Sequence, residues 1–161
     1  MRLLLRRTSA RLNSAIEFLL SGLGLAMSLV LGLQVFCRYV LNHSLFWSEE
    51  LARAMLVWLT FLGATVAWYR QLHPGVDALT SRLSRRGRRL SRLLVQVMAM
   101  ALFTVMIIAG CRFAWFVRHQ VSPALGLPRW IVPSIIPASG MVLLLHTVNL
   151  FLATRGKRHD R

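Results

Sequence analysis

FLLSGLGLAMSLVLGLQVFC, residues 18–37, is a run of twenty positions without one charged side chain. At ~1.5 Å of rise per residue, a helix of that length is ~30 Å long, the thickness of a bilayer's hydrocarbon core. Working outward, residues 54–69, 93–111 and 130–154 have the same character. The second stretch is short by this measure. It reaches full length only if it starts at Trp47 and holds Glu49, Glu50 and Arg53 near one interface. Buried helices of a soluble domain are the competing explanation, and they fail on supply. Hydrophobic residues make up 56% of the 161 and charged residues 16%, which leaves too little polar chain to cover four such rods. The fold class is an all-α membrane protein. A single domain is expected, with four transmembrane helices at about 14–37, 48–69, 93–117 and 130–154.

The charges orient it. Lys and Arg number 20, nineteen of them Arg, against 5 Asp and Glu, for a net +15. Fifteen of those cations fall in three places: Arg2, Arg6, Arg7 and Arg11; Arg70 and the arginines of 82–92; and Arg155, Lys157, Arg158 and Arg161. Only Arg38, Arg53, Arg112, Arg118 and Arg129 lie in the other two connections. Cytoplasmic segments are the ones enriched in Lys and Arg, so both termini are expected in the cytoplasm, N-in and C-in. An even number of crossings agrees. The excess charge is then mostly a topology signal. No nucleic acid is expected as a partner, because no aromatic side chain for base stacking is interleaved with the arginines of 82–92. Four arginines before an apolar run also resemble a signal peptide. The run is longer than a typical signal core and lacks an A-x-A pattern at its end, so the first helix is expected to stay uncleaved.

Local signals fill in the connections. Leu79, Leu83, Leu90 and Leu94 set an apolar stripe among arginines. That pattern predicts an amphipathic cytoplasmic surface helix over about 78–92, broken at Gly87, with Arg82, Arg85, Arg86 and Arg89 on anionic phospholipids. His73 to Asp77 reads as a turn. At the head of the second span, Ser48 is a candidate N-cap, and Glu49 and Glu50 suit the positive end of the helix dipole. Glu49 and Arg53 have the spacing of a helical ion pair. Trp47 and Trp130 suit interfacial anchors. Ser122 to Pro128 reads as a rigid external loop. Pro133 is tolerable near a helix start, and Pro137 is expected to kink the fourth span.

Small residues four apart let membrane helices approach closely. Gly24, Ser28 and Gly32 form such a face, as do Gly63 with Ala67 and Ser134 with Ala138. The spacing leaves open whether these faces pack within the chain or against another. Together with Glu49, Glu50 and Arg53 they are the candidate partner contacts. Nothing assembles a catalytic, cofactor or metal site. His146 is the one histidine inside a span, so a bis-histidine haem cannot be held, and it is expected to be a packed or interfacial residue. Cys37 and Cys111 stand alone, as two buried thiols or as one bond at the external end. No carboxylate lies deep in a span, with Glu17 at the edge of the first. Gly22-Leu23-Gly24 follows no strand and lacks a third glycine. The chain therefore reads as a non-enzymatic membrane module that needs a partner. A stand-alone four-span exporter or redox carrier is the alternative.

Several segments then acquire a family likeness. Arg38-Tyr39-Val40-Leu41-Asn42, Trp47-Ser48-Glu49-Glu50-Leu51-Ala52-Arg53 and Val57 through Ala64 resemble the small membrane subunit, DctQ type, of TRAP transporters. So do His73 through Asp77, Ser122 through Pro128, and Ile136-Pro137. Pro74 departs from that pattern, and so does the arginine content of the middle connection. The resemblance implies a tripartite secondary transporter. In it a periplasmic binding protein captures an organic acid, often a carboxylate or sialic acid. A large membrane subunit carries the acid inward with sodium. The small subunit holds no substrate: it packs on the large subunit's scaffold and helps present a docking surface to the binding protein.

Overall fold

The computed structural model describes residues 2–70 and 84–156. The described residues form four α-helices and no strand: α1 (Arg2–Tyr39), α2 (Phe46–Tyr69), α3 (Arg85–Phe116) and α4 (Ile135–Gly156). A single 3-10 turn, Arg129–Ile131, precedes α4. All four segments are long and apolar enough to cross a membrane. In hydrocarbon a helix satisfies its own peptide groups, which is why uninterrupted apolar length becomes helix here. α1 has 38 residues, or ~57 Å of helix, and so runs well past the 14–37 expected from charge gaps.

The ends explain themselves residue by residue. α1 stops as Asn42 enters the left-handed region at φ 50°, a conformation that asparagine tolerates better than most residues. The His43 N–H then donates back to the Cys37 carbonyl at 3.0 Å. α2 is capped by Leu45, not by Ser48. Ser48 lies inside the first turn, fully buried, and its hydroxyl donates to the Leu45 carbonyl at 2.6 Å. A serine that folds back on its own helix exposes no polar atom to an apolar neighbour, so this position serves packing and not capping.

At the start of α3 the Ser84 hydroxyl accepts from the Gly87 N–H at 3.3 Å. That cap explains why the helix runs unbroken through Gly87, against expectation: the glycine's N–H is held by the cap at the helix's least demanding turn. Residues 85–92 are thus the opening of α3 itself. The rest of the expected surface helix, with Arg82 and the His73–Asp77 turn, lies outside the described residues. Pro137 is the third residue of α4, where backbone N–H groups have no partner inside the helix, so it removes no bond there and is not a mid-helix kink. The break in this span comes earlier, between the 3-10 turn and Ile135.

Packing joins two pairs. α1 lies against α2 and α3 against α4, while α4 also touches α2 and α1. One apolar centre gathers Ile16, Leu62 and Ile135, with Val57, Phe61 and Val142 around them. A second gathers Ala99, Phe103 and Leu143, and Trp68 meets Phe103 edge-on at 5.1 Å. α3 and α4 approach closely at two glycines. A Cβ added at Gly110 would stand 2.7 Å from Cδ of Pro137, and one at Gly140 would stand 2.9 Å from Cγ1 of Ile107. The buried hydroxyls along α2 and α4 do not disturb this core. Thr65 donates to the Leu62 carbonyl, Ser139 to Ile136 and Thr147 to Leu143, each at 2.9 Å or less. Both cysteines are free; Cys37 is buried, but Cys111 is exposed, so they are neither a bond nor two buried thiols.

Gly110→Val forces a branched side chain into the Pro137 ring. It should lower the stability of the detergent-solubilised chain by about 1–3 kcal/mol. Gly24→Ala and Gly32→Ala enter open space and should leave stability unchanged or raise it by up to about 1 kcal/mol. Thermal unfolding of the three variants checks this, and equal melting temperatures would refute the α3–α4 contact.

Candidate partner-binding surfaces

Glu50 builds the surface at one end of the molecule. It sits in the first turns of α2, and its carboxylate accepts from the Ser122 hydroxyl and, at 2.9 Å, from the Ala124 N–H. The Ser122 hydroxyl in turn accepts from the Leu125 N–H at 3.4 Å. The segment it grips is a hairpin. Val121 bridges Pro128, the Ser122 N–H donates to the Leu127 carbonyl at 2.9 Å, and Gly126 makes the turn at φ 65°. A side chain in that conformation would be strained, which is what the glycine is for. The loop read from sequence as rigid is thus hydrogen-bonded both within itself and to α2. Glu50 is a loop-positioning residue here, with its oxygens turned inward to the chain rather than out to a neighbour.

Glu49 and Arg53 point elsewhere. Glu49 is exposed and accepts from Gln34 of α1 at 3.4 Å. The expected Glu49–Arg53 ion pair is not formed. Among the described residues the one salt bridge is Glu17–Arg70, and Arg53 is exposed. Trp47 is half-buried in the first turn of α2, and Trp130 is exposed on the 3-10 turn, so both stand at this same end.

The glycines of the α1 and α2 small-residue faces make no close contact within the chain. Cβ atoms added at Gly24, Gly32 or Gly63 would meet nothing within 4 Å. Ser28 is exposed and merely donates to the Gly24 carbonyl. Ala67 is half-buried. The C-terminal half of α1 carries Leu25, Leu29, Leu33, Val35 and Phe36 exposed beside those small residues. The chain's own close packing uses Gly110 and Gly140 instead.

The opposite end is a polar junction of α1, α2 and α4. Arg70 donates from Nε and Nη2 to one oxygen of Glu17, at 3.0 and 2.7 Å. Asn13 Nδ2 donates to the same oxygen at 2.8 Å. His146 is 4% exposed, bonded through Nδ1 to the Ser9 hydroxyl at 2.7 Å, and lies 5.0 Å from the Tyr69 ring. It is a packed histidine, as the sequence suggested. Sequence reasoning missed Ser9 and Asn13, which sit four apart on one face of α1. Arg85, Arg86 and Arg89 open α3 close to the start of that helix. Among the described residues no three His, Cys, Asp or Glu side chains come together as a metal site.

The family described as "Tripartite ATP-independent periplasmic transporters, DctQ component" matches residues 27–155. The chain is 34% identical over 103 residues to the "C4-dicarboxylate TRAP transporter small permease protein DctQ" of Rhodobacter capsulatus, across 62% of this chain and 45% of that protein. It is 32% identical over 101 residues to the "Sialic acid TRAP transporter permease protein SiaT" of Haemophilus influenzae, across 63% of this chain and 16% of that one. It is 29% identical over 133 residues to a second C4-dicarboxylate small permease protein, from Vibrio cholerae, across 83% of this chain and 54% of that one. The chain thus spans about half or less of the length of these three relatives.

Glu50→Ala removes the acceptor for two donors of the hairpin. Amide hydrogen exchange at Ala124 and Leu125 should accelerate roughly tenfold or more, while the helical core keeps its protection. Glu49→Gln keeps an acceptor for Gln34 and should leave the hairpin's exchange unchanged.

Proposed function

The chain belongs to the DctQ component family of tripartite ATP-independent periplasmic transporters, and from that premise we propose that it serves as the small membrane subunit of a sodium-coupled importer of organic acids, carboxylates or sialic acid. The match over residues 27–155 is the observation that carries this reading. In the proposed role the chain lies in the bacterial inner membrane with both termini cytoplasmic. It braces a large transport subunit and helps to dock a periplasmic binding protein.

Several features of the geometry support the bracing and docking parts of that role. A helix in lipid gains nothing from hydrophobic exclusion, so tight association needs faces that allow close backbone approach. The Gly24–Ser28–Gly32 face of α1 is of that kind and is left bare by the chain's own fold. It is the surface we assign to the large subunit, with Gly63, Ala67 and Arg53 of α2 as further candidates. Trp47 and Trp130 set the depth of one end, and the arginines that open α3 set the other against anionic phospholipids. The Glu50-held hairpin is the rigid element we assign to docking.

Two measurements test the reading. Co-expressed with a large TRAP membrane subunit from the same organism, the chain should co-purify, and uptake of radiolabelled organic acid should need both membrane subunits and the binding protein. Gly24→Leu with Gly32→Leu should cut co-purification several-fold while the chain alone keeps its melting temperature. Uptake without the chain, or transport by the chain alone, would overturn the proposal. Alkaline phosphatase fused at either terminus should be inactive, and activity there would reverse the assigned orientation.

A further inference from the structure

Arg118 and Arg129 stand at the two feet of the hairpin. The Arg129 N–H closes it by donating to the Gln120 carbonyl at 2.8 Å, and its Nη1 donates to Oε1 of Gln120 at 3.1 Å. The Arg118 guanidinium lies 3.8 Å from the centre of the Trp115 ring, and its Nη1 donates to the Trp115 carbonyl at 3.2 Å. Each guanidinium thus gives one N–H to a neutral acceptor and keeps the others. Both side chains are exposed. Holding a planar fork in place before an acid arrives reduces the entropy lost on binding it.

Among the described residues neither of these cations is in a salt bridge. Between Asp77 and Asp160 the sequence contains no acid at all. Of the two acids at this end, exposed Glu49 accepts one bond from Gln34, and Glu50 is turned to the hairpin, where it accepts from Ser122 and Ala124. Arg129 feels the charge of Glu50 without forming an ion pair with it. Arg112 and His119 are exposed nearby in sequence and add no negative charge. Apolar side chains share the surface: Val121, Leu127 and Trp130 are all exposed. Arginine and tryptophan beside aliphatic groups is the composition of a protein–protein contact rather than of a purely solvated loop.

We propose that the hairpin reads carboxylates: Arg118 and Arg129 receive an acidic face of the soluble binding protein. The inference rests on the docking role proposed above and names the chemistry of that contact. The two guanidinium forks orient the acidic partner, and their field raises its rate of encounter.

The experiment uses the complete membrane complex in nanodiscs, of phosphatidylcholine alone and mixed with phosphatidylglycerol. Association of the binding protein is followed at low and high salt for wild type, R118Q/R129Q and R118K/R129K. With the glutamines, the association rate should fall about tenfold at low salt, and its salt dependence should flatten, in both lipids. The lysine pair should recover most of the rate, and all three complexes should co-purify. A glutamine variant within about twofold of wild type would overturn the proposal. So would a loss confined to the phosphatidylglycerol discs, which assigns the arginines to lipid phosphate. So would lysine and glutamine pairs that both fail to assemble, which makes the arginines structural. A wild-type complex that captures no binding protein would instead bring down the docking role itself, and this inference with it.

Discussion

Water is the usual partner of a peptide group, and a bilayer core has none. Every backbone N–H and C=O in the hydrocarbon must be answered from within, and the helix is the one local answer. Once that is imposed, side chains no longer drive association by leaving water. Contact then depends on how near two backbones can come. Gly110 against Pro137 and Gly140 against Ile107 are two places where this chain leaves no room for a Cβ. The rest of the arrangement follows from that seam. α3 is fastened to α4, α4 reaches α2 and α1, and the large apolar side chains face outward.

How polar groups are treated shows the same constraint. Ser48, Thr65, Ser139 and Thr147 are buried in helix contacts, yet each hydroxyl is returned to a carbonyl of its own helix or its cap. They act as small residues that happen to carry oxygen. Charged groups gather at the ends, where water and head groups reach them. Glu17 with Arg70 closes one end, and Glu50 with the hairpin shapes the other.

Much of the fold is legible in the sequence, because charge gaps of hydrocarbon length are written in one dimension. Residues 18–37 and 135–154 need no neighbour to be recognised as helix. Contacts between helices are not written that way. Gly140 lies between Ile136 and Leu144 at the four-residue steps, so a search for small-residue faces passes over it. Gly110 does have Ala114 at that spacing, so one side of the seam carries a readable signal. The faces that spacing marks most clearly, Gly24 to Gly32 above all, are the ones the chain leaves empty. Spacing identifies a surface able to pack, and it says nothing of what packs there. Glu50 is a similar case. An acid in a first turn suits the helix dipole by local rules, but its partners lie more than seventy positions away on a loop. The cap at Ser84 reverses another expectation, because one hydroxyl is enough to carry helix through Gly87.

The foot of α1 is tied by Glu17, Asn13 and Ser9, while Leu25 to Phe36 stand at the perimeter. A neighbour that covers this flank need not pry anything apart. Acyl chains are what must leave, and they exchange on a far shorter timescale than helices. Joining a larger assembly can then be a late, lateral event in the plane of the bilayer, after the four rods have already found one another.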